Sequence, residues 1–253
     1  MTAPLLEIRK LYKAFGKVVT ANGIDLTLEK GVLTSIIGPN GAGKSTLINM
    51  LSGSLPVDSG EILFDGRDIT QLPIHKRVRL GLCRSFQVVN VFPDLSVFDN
   101  IQIPVLAVQK RATRLFRPVS GEKETHKEVH QVLERVGLEN VAHTLANALS
   151  HGDQRLLEVG IALAVRPRLL FLDEPTAGMN PVERVKVLEN VKRLSAEGRT
   201  TFVIVEHDMD IVFSLSDRVV VLHHGDIIAD GTTDEIQDSK QVREVYLGEE
   251  VME

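Results

Sequence analysis

Gly38-Pro39-Asn40-Gly41-Ala42-Gly43-Lys44-Ser45-Thr46 decides how the rest of the chain is read. The apolar run before it, Val32-Leu33-Thr34-Ser35-Ile36-Ile37, predicts a buried strand. After it, Leu47, Ile48, Met50 and Leu51 have the spacing of one helix face. A strand, a glycine-rich loop and a helix opening on Gly-Lys-Ser make a phosphate-binding loop. Its backbone N–H groups turn inward around an anion, and the helix N-terminus adds partial positive charge. Lys44 is placed to reach the β- and γ-phosphates, and the Ser45 hydroxyl to hold Mg²⁺. The stretch implies a bound nucleoside triphosphate.

A chain of 253 residues suits one large domain, or a core carrying an inserted subdomain. The net charge of −5, two tyrosines and no tryptophan offer neither a basic field nor stacking platforms, so no nucleic-acid partner is expected. Cys83 is the only cysteine, which excludes an internal disulfide and a thiolate metal cluster; it reads as a small buried side chain. No apolar run approaches the roughly 18 residues that span a bilayer. Met1 to Lys10 mixes charged and apolar residues too early for a secretion signal. The expected location is cytoplasmic, with any membrane contact made through partners.

The opening third reads as β-rich, with strands expected at Leu5–Tyr12, Ile24–Leu28 and Glu61–Phe64, the last entering a hairpin turn at Asp65-Gly66. A further apolar strand, Leu82 to Phe86, ends on Gln87. The texture then changes. Phe98 to Val108 predicts a helix, Gln109 to Lys123 is polar and basic, and Val129, Val132, Leu133 and Val136 share one face of a second helix ended by Gly137. This middle section reads as a helical insertion into a β-rich frame. Strands then alternate with helices: Leu169–Asp173, a helix opened by Asn180-Pro181-Val182-Glu183, Thr201–Val205 and Arg218–Leu222. Such alternation implies a mainly parallel sheet with helices on its faces, an α/β fold.

Leu169–Asp173 followed by Glu174 ends a strand in two adjacent carboxylates. Such pairs also occur in solvated turns, but beside a phosphate loop Asp173 suits the Mg²⁺ shell and Glu174 suits polarisation of an attacking water. His207 follows the Thr201–Val205 strand, where open α/β sheets place ligands, and could bond a γ-phosphate while holding the water in line with Glu174.

Leu149-Ser150-His151-Gly152-Asp153 resembles the Leu-Ser-Gly-Gly-Gln signature of ATP-binding cassette (ABC) proteins. The order of phosphate loop, Gln87, signature, carboxylates, the Ala177–Asn180 loop and His207 is similar to that family over essentially the whole chain. The resemblance implies a P-loop NTPase (RecA-like) core with an N-terminal antiparallel β subdomain and an inserted α-helical subdomain. The division it implies is core at 1–87 and 155–253, helical subdomain at 88–154. It also implies ATP and Mg²⁺ as cofactors, with a head-to-tail dimer sandwiching two ATP molecules between phosphate loop and facing signature. By the same resemblance Phe15 stacks on adenine, with Tyr12 as fallback. Gln87 touches Mg²⁺ and the attacking water, and within the signature Leu149, Ser150, His151, Gly152 and Asp153, presented in trans, Ser150 and Gly152 contact the γ-phosphate held by the opposite subunit.

His151, Asp153 and Asn180 depart from the family consensus, and an acid at Asp153 near bound phosphate invites repulsion. The signature, Glu158-Val159-Gly160, the Asp173–Pro181 run, Glu206-His207-Asp208-Met209 and Val245-Tyr246-Leu247-Gly248 look like the ATP-binding subunits of branched-chain amino-acid importers and their urea-importing relatives. That implies a second cassette, two membrane-spanning permease subunits and, indirectly, a solute-binding protein as partners. An exporter cassette or a soluble non-transport cassette is the alternative. The stretch Gln87 to Pro104, with Phe92, Pro93, Leu95 and Phe98, is expected to dock the permeases. The Lys110–Arg117 cluster reads as a solvated loop that could also face anionic lipid.

Overall fold

The computed structural model describes residues 3–85, 91–109 and 122–247. The chain opens as a hairpin, β1 (Leu6–Phe15) and β2 (Val18–Leu28), followed by β3 (Thr34–Ile37) and, after the glycine-rich loop, α1 (Lys44–Ser52). Next come β4 (Ser59–Phe64), β5 (Arg67–Asp68), α2 (Ile74–Leu80) and β6 (Leu82–Arg84). Then α3 (Val97–Val108), α4 (Glu122–Val136) and α5 (His151–Ala164) form the helical part. The return consists of β7 (Leu169–Asp173), α6 (Pro181–Ala196), β8 (Thr201–Val205), α7 (Met209–Leu215), β9 (Arg218–His223), β10 (Asp226–Gly231), α8 (Thr233–Asp238) and α9 (Lys240–Leu247).

These elements make two sheets. One is a four-stranded antiparallel sheet in the order β2-β1-β4-β5. Asp65 and Gly66 both take positive φ, +53° and +74°, so the expected two-residue hairpin turn follows the strand twist. The second sheet has the order β10-β9-β3-β8-β7-β6, parallel except for its antiparallel edge strand β10. β3, β7 and β8 are buried at every position, as parallel strands covered on both faces must be.

Alternation along β7 shows how the layers form. Leu169 and Phe171 face α1 and the antiparallel sheet, while Leu170 and Leu172 face α5, α6 and the helical part. The helix expected from Val129, Val132, Leu133 and Val136 is α4, and those side chains lie in that second core beside Ile101 and Val105 of α3. One expectation is corrected here. Phe98 is only 9% exposed, ringed by the imidazoles of His126, His130 and His143, so it is core of the helical part and not a docking residue.

Arg77, on α2, is a buried cation with no carboxylate bonded to it among the described residues. It donates to the carbonyls of Met50 (2.8 Å) and Leu51 (2.7 Å) in the last turn of α1, and to Leu72 (2.8 Å) and Thr70 (2.9 Å). The C-terminal end of α1 carries partial negative charge that suits a guanidinium. Burial pulls the Arg77 pKa down to about 10. We expect Arg77→Met to leave four carbonyls short of a donor and to cost about 3 kcal/mol. Calorimetry should show a melting midpoint lower by roughly 10 °C for a chain of this size.

Candidate functional site

The phosphate loop is shaped by what surrounds it. A Cβ on Gly38, at φ +156°, would sit 2.2 Å from the Leu222 carbonyl oxygen, and one on Gly43, at φ +105°, would sit 2.3 Å from that of Thr20. Only glycine fits where the loop is pressed between β9 and β2. The Gly225 N–H donates to the Ala42 carbonyl at 3.0 Å, bracing the loop from the β9–β10 turn. Lys44 folds back over the loop and donates to the carbonyls of Gly38 (2.6 Å) and Pro39 (3.1 Å). Burial lowers its pKa from the lysine range, and the charges of Glu174 and Asp173 partly oppose that shift. The loop cation therefore senses both carboxylates. Ser45 and Gly41 are exposed, with Asn40 beside them, at the mouth of the loop.

Strand register assembles the rest. β8 lies between β3 and β7, with Val205 paired to Ile36 on one side and to Asp173 on the other. The residues that leave these strands, Gly38, Glu174 and Glu206-His207, therefore emerge together along one edge. Asp173 is buried, and Arg84 at the end of β6 donates to its Oδ2 at 2.6 Å while also bonding the Asn49 side chain on α1. Glu174 takes φ +43°, an uncommon conformation for a residue with a side chain. Its N–H donates to the Val205 carbonyl at 2.9 Å, and its carbonyl accepts from Arg155 at 2.8 Å.

His207, 64% exposed, overhangs this edge. Its Nδ1 is 3.8 Å from Glu174 Oε1, too long for a direct hydrogen bond. The buried Glu206 accepts from the Thr176 hydroxyl at 2.8 Å, and burial raises its pKa. The end of β8 is thereby tied to the turn that follows Glu174.

The signature opens α5. Ser150 is the N-cap, its hydroxyl accepting from the Asp153 N–H at 3.1 Å. Glu183 of α6 packs over Gly152, where a Cβ would come within 3.0 Å of it, and accepts from the Gly152 N–H at 3.3 Å. Asn180 caps α6 through the N–H groups of Val182 and Glu183, so at this position it does the work an Asp would. Asp153 is paired with Lys186 at 2.5 Å, which offsets the charge that looked awkward in the sequence. His151 is exposed beside Gly178, and Leu149 packs on the helical core.

Phe15, at the end of β1, is 49% exposed, with the Lys13 ammonium 5.5 Å from its ring centre; Tyr12 is half-buried within the strand. Gln87 and the Lys110–Arg117 cluster lie outside the described residues.

The family model for the ABC transporter matches residues 21–177, well over half the chain. The chain belongs to the ABC transporter family. A second model, for the branched-chain amino acid ATP-binding cassette transporter, matches residues 227–251. This ABC cassette is 38% identical to the high-affinity branched-chain amino acid transport ATP-binding protein BraF of Pseudomonas aeruginosa, over 98% of the chain and 100% of the relative. It is 36% identical to the protein of that description, LivG, of Escherichia coli K12, over 98% and 100%.

Among solved structures, it is similar to an ABC transporter's ATP-binding cassette in its ADP conformation, with a TM-score of 0.84, 31% identity and coverage of 98% and 100%. Cassette cbiO1 from Clostridium perfringens superposes with a TM-score of 0.82 at 30% identity, covering 97% and 96%. The cassette is therefore an ATP-binding, ATP-hydrolysing protein with a P-loop NTPase fold. Among its described residues no helix is long and apolar enough to cross a membrane.

Two basic residues of the site, Arg84 and Arg155, carry a signal in the sequence that only the fold explains. Arg84 stands as a charge inside the apolar run Leu82–Phe86, and Arg155 with Glu158 interrupts the buried face of α5. A charge within an otherwise apolar run signals a buried partner. What that partner is depends on strands far away in the chain.

Proposed function

We propose that this cassette is the ATP-hydrolysing subunit of an importer for branched-chain amino acids or a related small polar solute such as urea or an amide. The observation that carries the reading is the shared edge of β3, β8 and β7, where Lys44, His207, Asp173 and Glu174 converge. The full-length likeness to branched-chain amino acid transport ATP-binding proteins supplies the transport setting.

In this reading the loop 38–46 wraps the phosphates, and Lys44 leaves the Gly38 and Pro39 carbonyls for the β- and γ-phosphates. Phe15 stacks on adenine. Glu174 takes the proton of the attacking water, and His207 bonds the γ-phosphate beside it. Hard oxygen donors from a hydroxyl and a carboxylate, completed by substrate phosphates, suit Mg²⁺. Ser45 and Asp173 would hold that ion with Gln87, and when bound it would supply positive charge that offsets the charge developing on the phosphates. The signature Leu149 to Asp153 of a second cassette faces this site in a head-to-tail dimer, with Ser150 and Gly152 on the γ-phosphate. The helical arm assigned to 88–154 and the core assigned to 1–87 and 155–253 share α5, whose His151–Ala164 run is unbroken across that boundary and packs with α3 and α4, so the arm extends to the end of α5.

The permease partners are placed on the turn before α3, which puts the cassette on the cytoplasmic face of the membrane. Asn100 pins that turn by accepting from the Phe92 N–H (2.8 Å) and donating to the Phe92 carbonyl (3.1 Å), leaving the ring 53% exposed. Tagged Glu174→Gln cassette recovered from native membranes with ATP should bring down two different multi-span proteins. Adding Phe92→Asp and Leu95→Asp should lower that recovery at least tenfold, and the same two substitutions in the cassette with Glu174 intact should leave its soluble ATPase unchanged. Recovery as a soluble dimer alone would remove the importer reading.

A further inference from the structure

We propose that Arg155 is a positioning residue that couples the signature helix to the catalytic turn of the same subunit, so that a neighbour's ATP seated on the signature sets the geometry of Glu174. The proposal rests on the reading above, in which Glu174 is the general base and the signature works in trans.

The guanidinium is buried in the second turn of α5 and reaches across to the end of β7. Nη2 donates to the Asp173 and Glu174 carbonyls, each at 2.8 Å, and Nε to the Pro175 carbonyl at 3.3 Å. Nη1 meets Glu158 Oε2 at 2.6 Å, which balances the buried charge. Three successive carbonyls are thus gripped by one rigid planar fork, which a lysine ammonium on a flexible stem cannot reproduce.

The turn so gripped is the one with Glu174 at φ +43°. A left-handed non-glycine residue is strained and persists only where its surroundings over-determine it. Here the Glu174 N–H is held by Val205 and its carbonyl by Arg155, so the direction in which the side chain leaves the backbone is fixed from both sides. Ser150, the N-cap of the same helix, lies five residues before Arg155, about 7.5 Å along its axis. A helix transmits displacement as a rod, so a shift imposed on Ser150 and Gly152 reaches the Asp173–Pro175 carbonyls through one side chain. In a head-to-tail pair, ATP in the first site would then align the base of the second, a coupling between two distinct sites.

Arg155→Lys in the full chain tests this, with Glu174→Gln and Ser150→Ala beside it. The expected result is a split: kcat at least tenfold lower, the dissociation constant for ATP within about twofold of wild type, and a Hill coefficient for ATP hydrolysis falling toward one. Ser150→Ala combined with Arg155→Lys should lose little more than the slower single variant, because both cut the same link. Losses that simply multiply, or a kcat that follows the melting midpoint with cooperativity retained, would overturn the proposal. If Arg155→Lys does not fold, Glu158→Gln loosens the same guanidinium and should show the same split at about threefold; unchanged kcat and cooperativity there would also overturn it. Wild-type turnover in Arg155→Lys alongside an inactive Glu174→Gln removes only the role of Arg155. Turnover retained in Glu174→Gln removes the site reading itself.

Discussion

Glu174→Gln should lower ATP turnover by about three orders of magnitude while leaving ATP-driven pairing of two cassettes intact. General-base removal costs typically about 10²- to 10⁴-fold. Glutamine keeps the shape of the side chain and loses its ability to take a proton. The backbone that aims it is held independently of the carboxylate, through the Val205 carbonyl and the Arg155 guanidinium. The turn should therefore survive the substitution, and phosphate loop and signature should still close on ATP. Phosphate release measures the first effect; light scattering on an ATP-loaded size-exclusion column measures the second. Turnover at the wild-type rate would remove Glu174 from its role, and loss of pairing would mean that the carboxylate is needed for assembly.

Lys44→Ala should weaken ATP binding by roughly 10- to 100-fold, since a charge-assisted hydrogen bond contributes about 1.5–3 kcal/mol. The lysine is poised for this task. Burial lowers its pKa, Glu174 and Asp173 keep pulling it toward the charged form, and its only bonds among the described residues are to carbonyls of its own loop. A phosphate replaces neutral acceptors with charged ones, so the ammonium gains more from ATP than it gives up. Titration with a fluorescent ATP analogue reads the loss. The melting midpoint should stay within a few degrees, because the loop is braced from outside by Thr20, Leu222 and Gly225. An unchanged dissociation constant would mean that the phosphates lie elsewhere.

Local rules made much of this molecule legible. Hydrophobic runs located β3, β7, β8 and β9, and 3.6-residue spacing located α4. The Asn180-Pro181-Val182-Glu183 cap located the start of α6, because a cap is a matter of neighbouring residues. Less was legible where the signal is diffuse. The first half of β2, the short β5 and α2, and the closing β10 and α7 to α9 are short or half exposed, and a strand or helix of that kind carries little periodicity. Phe98 shows the opposite failure, an aromatic in an apolar, turn-rich stretch that is filled in by three histidines from distant positions.

Read alone, the sequence determined that this chain binds nucleotide phosphates, carries the ordered motifs of an ABC cassette, and alternates strands with helices around them. Those features are covalent neighbours, and their chemistry follows from residue type and spacing. The three-dimensional fold alone inserts β8 between β3 and β7 and so brings His207 to the carboxylates. It also decided that Arg84 bonds Asp173, that Lys186 neutralises Asp153 and that Arg155 holds the Glu174 turn. Strand order and buried ion pairs join residues tens of positions apart, and their energy depends on a three-dimensional enclosure that no local pattern encodes.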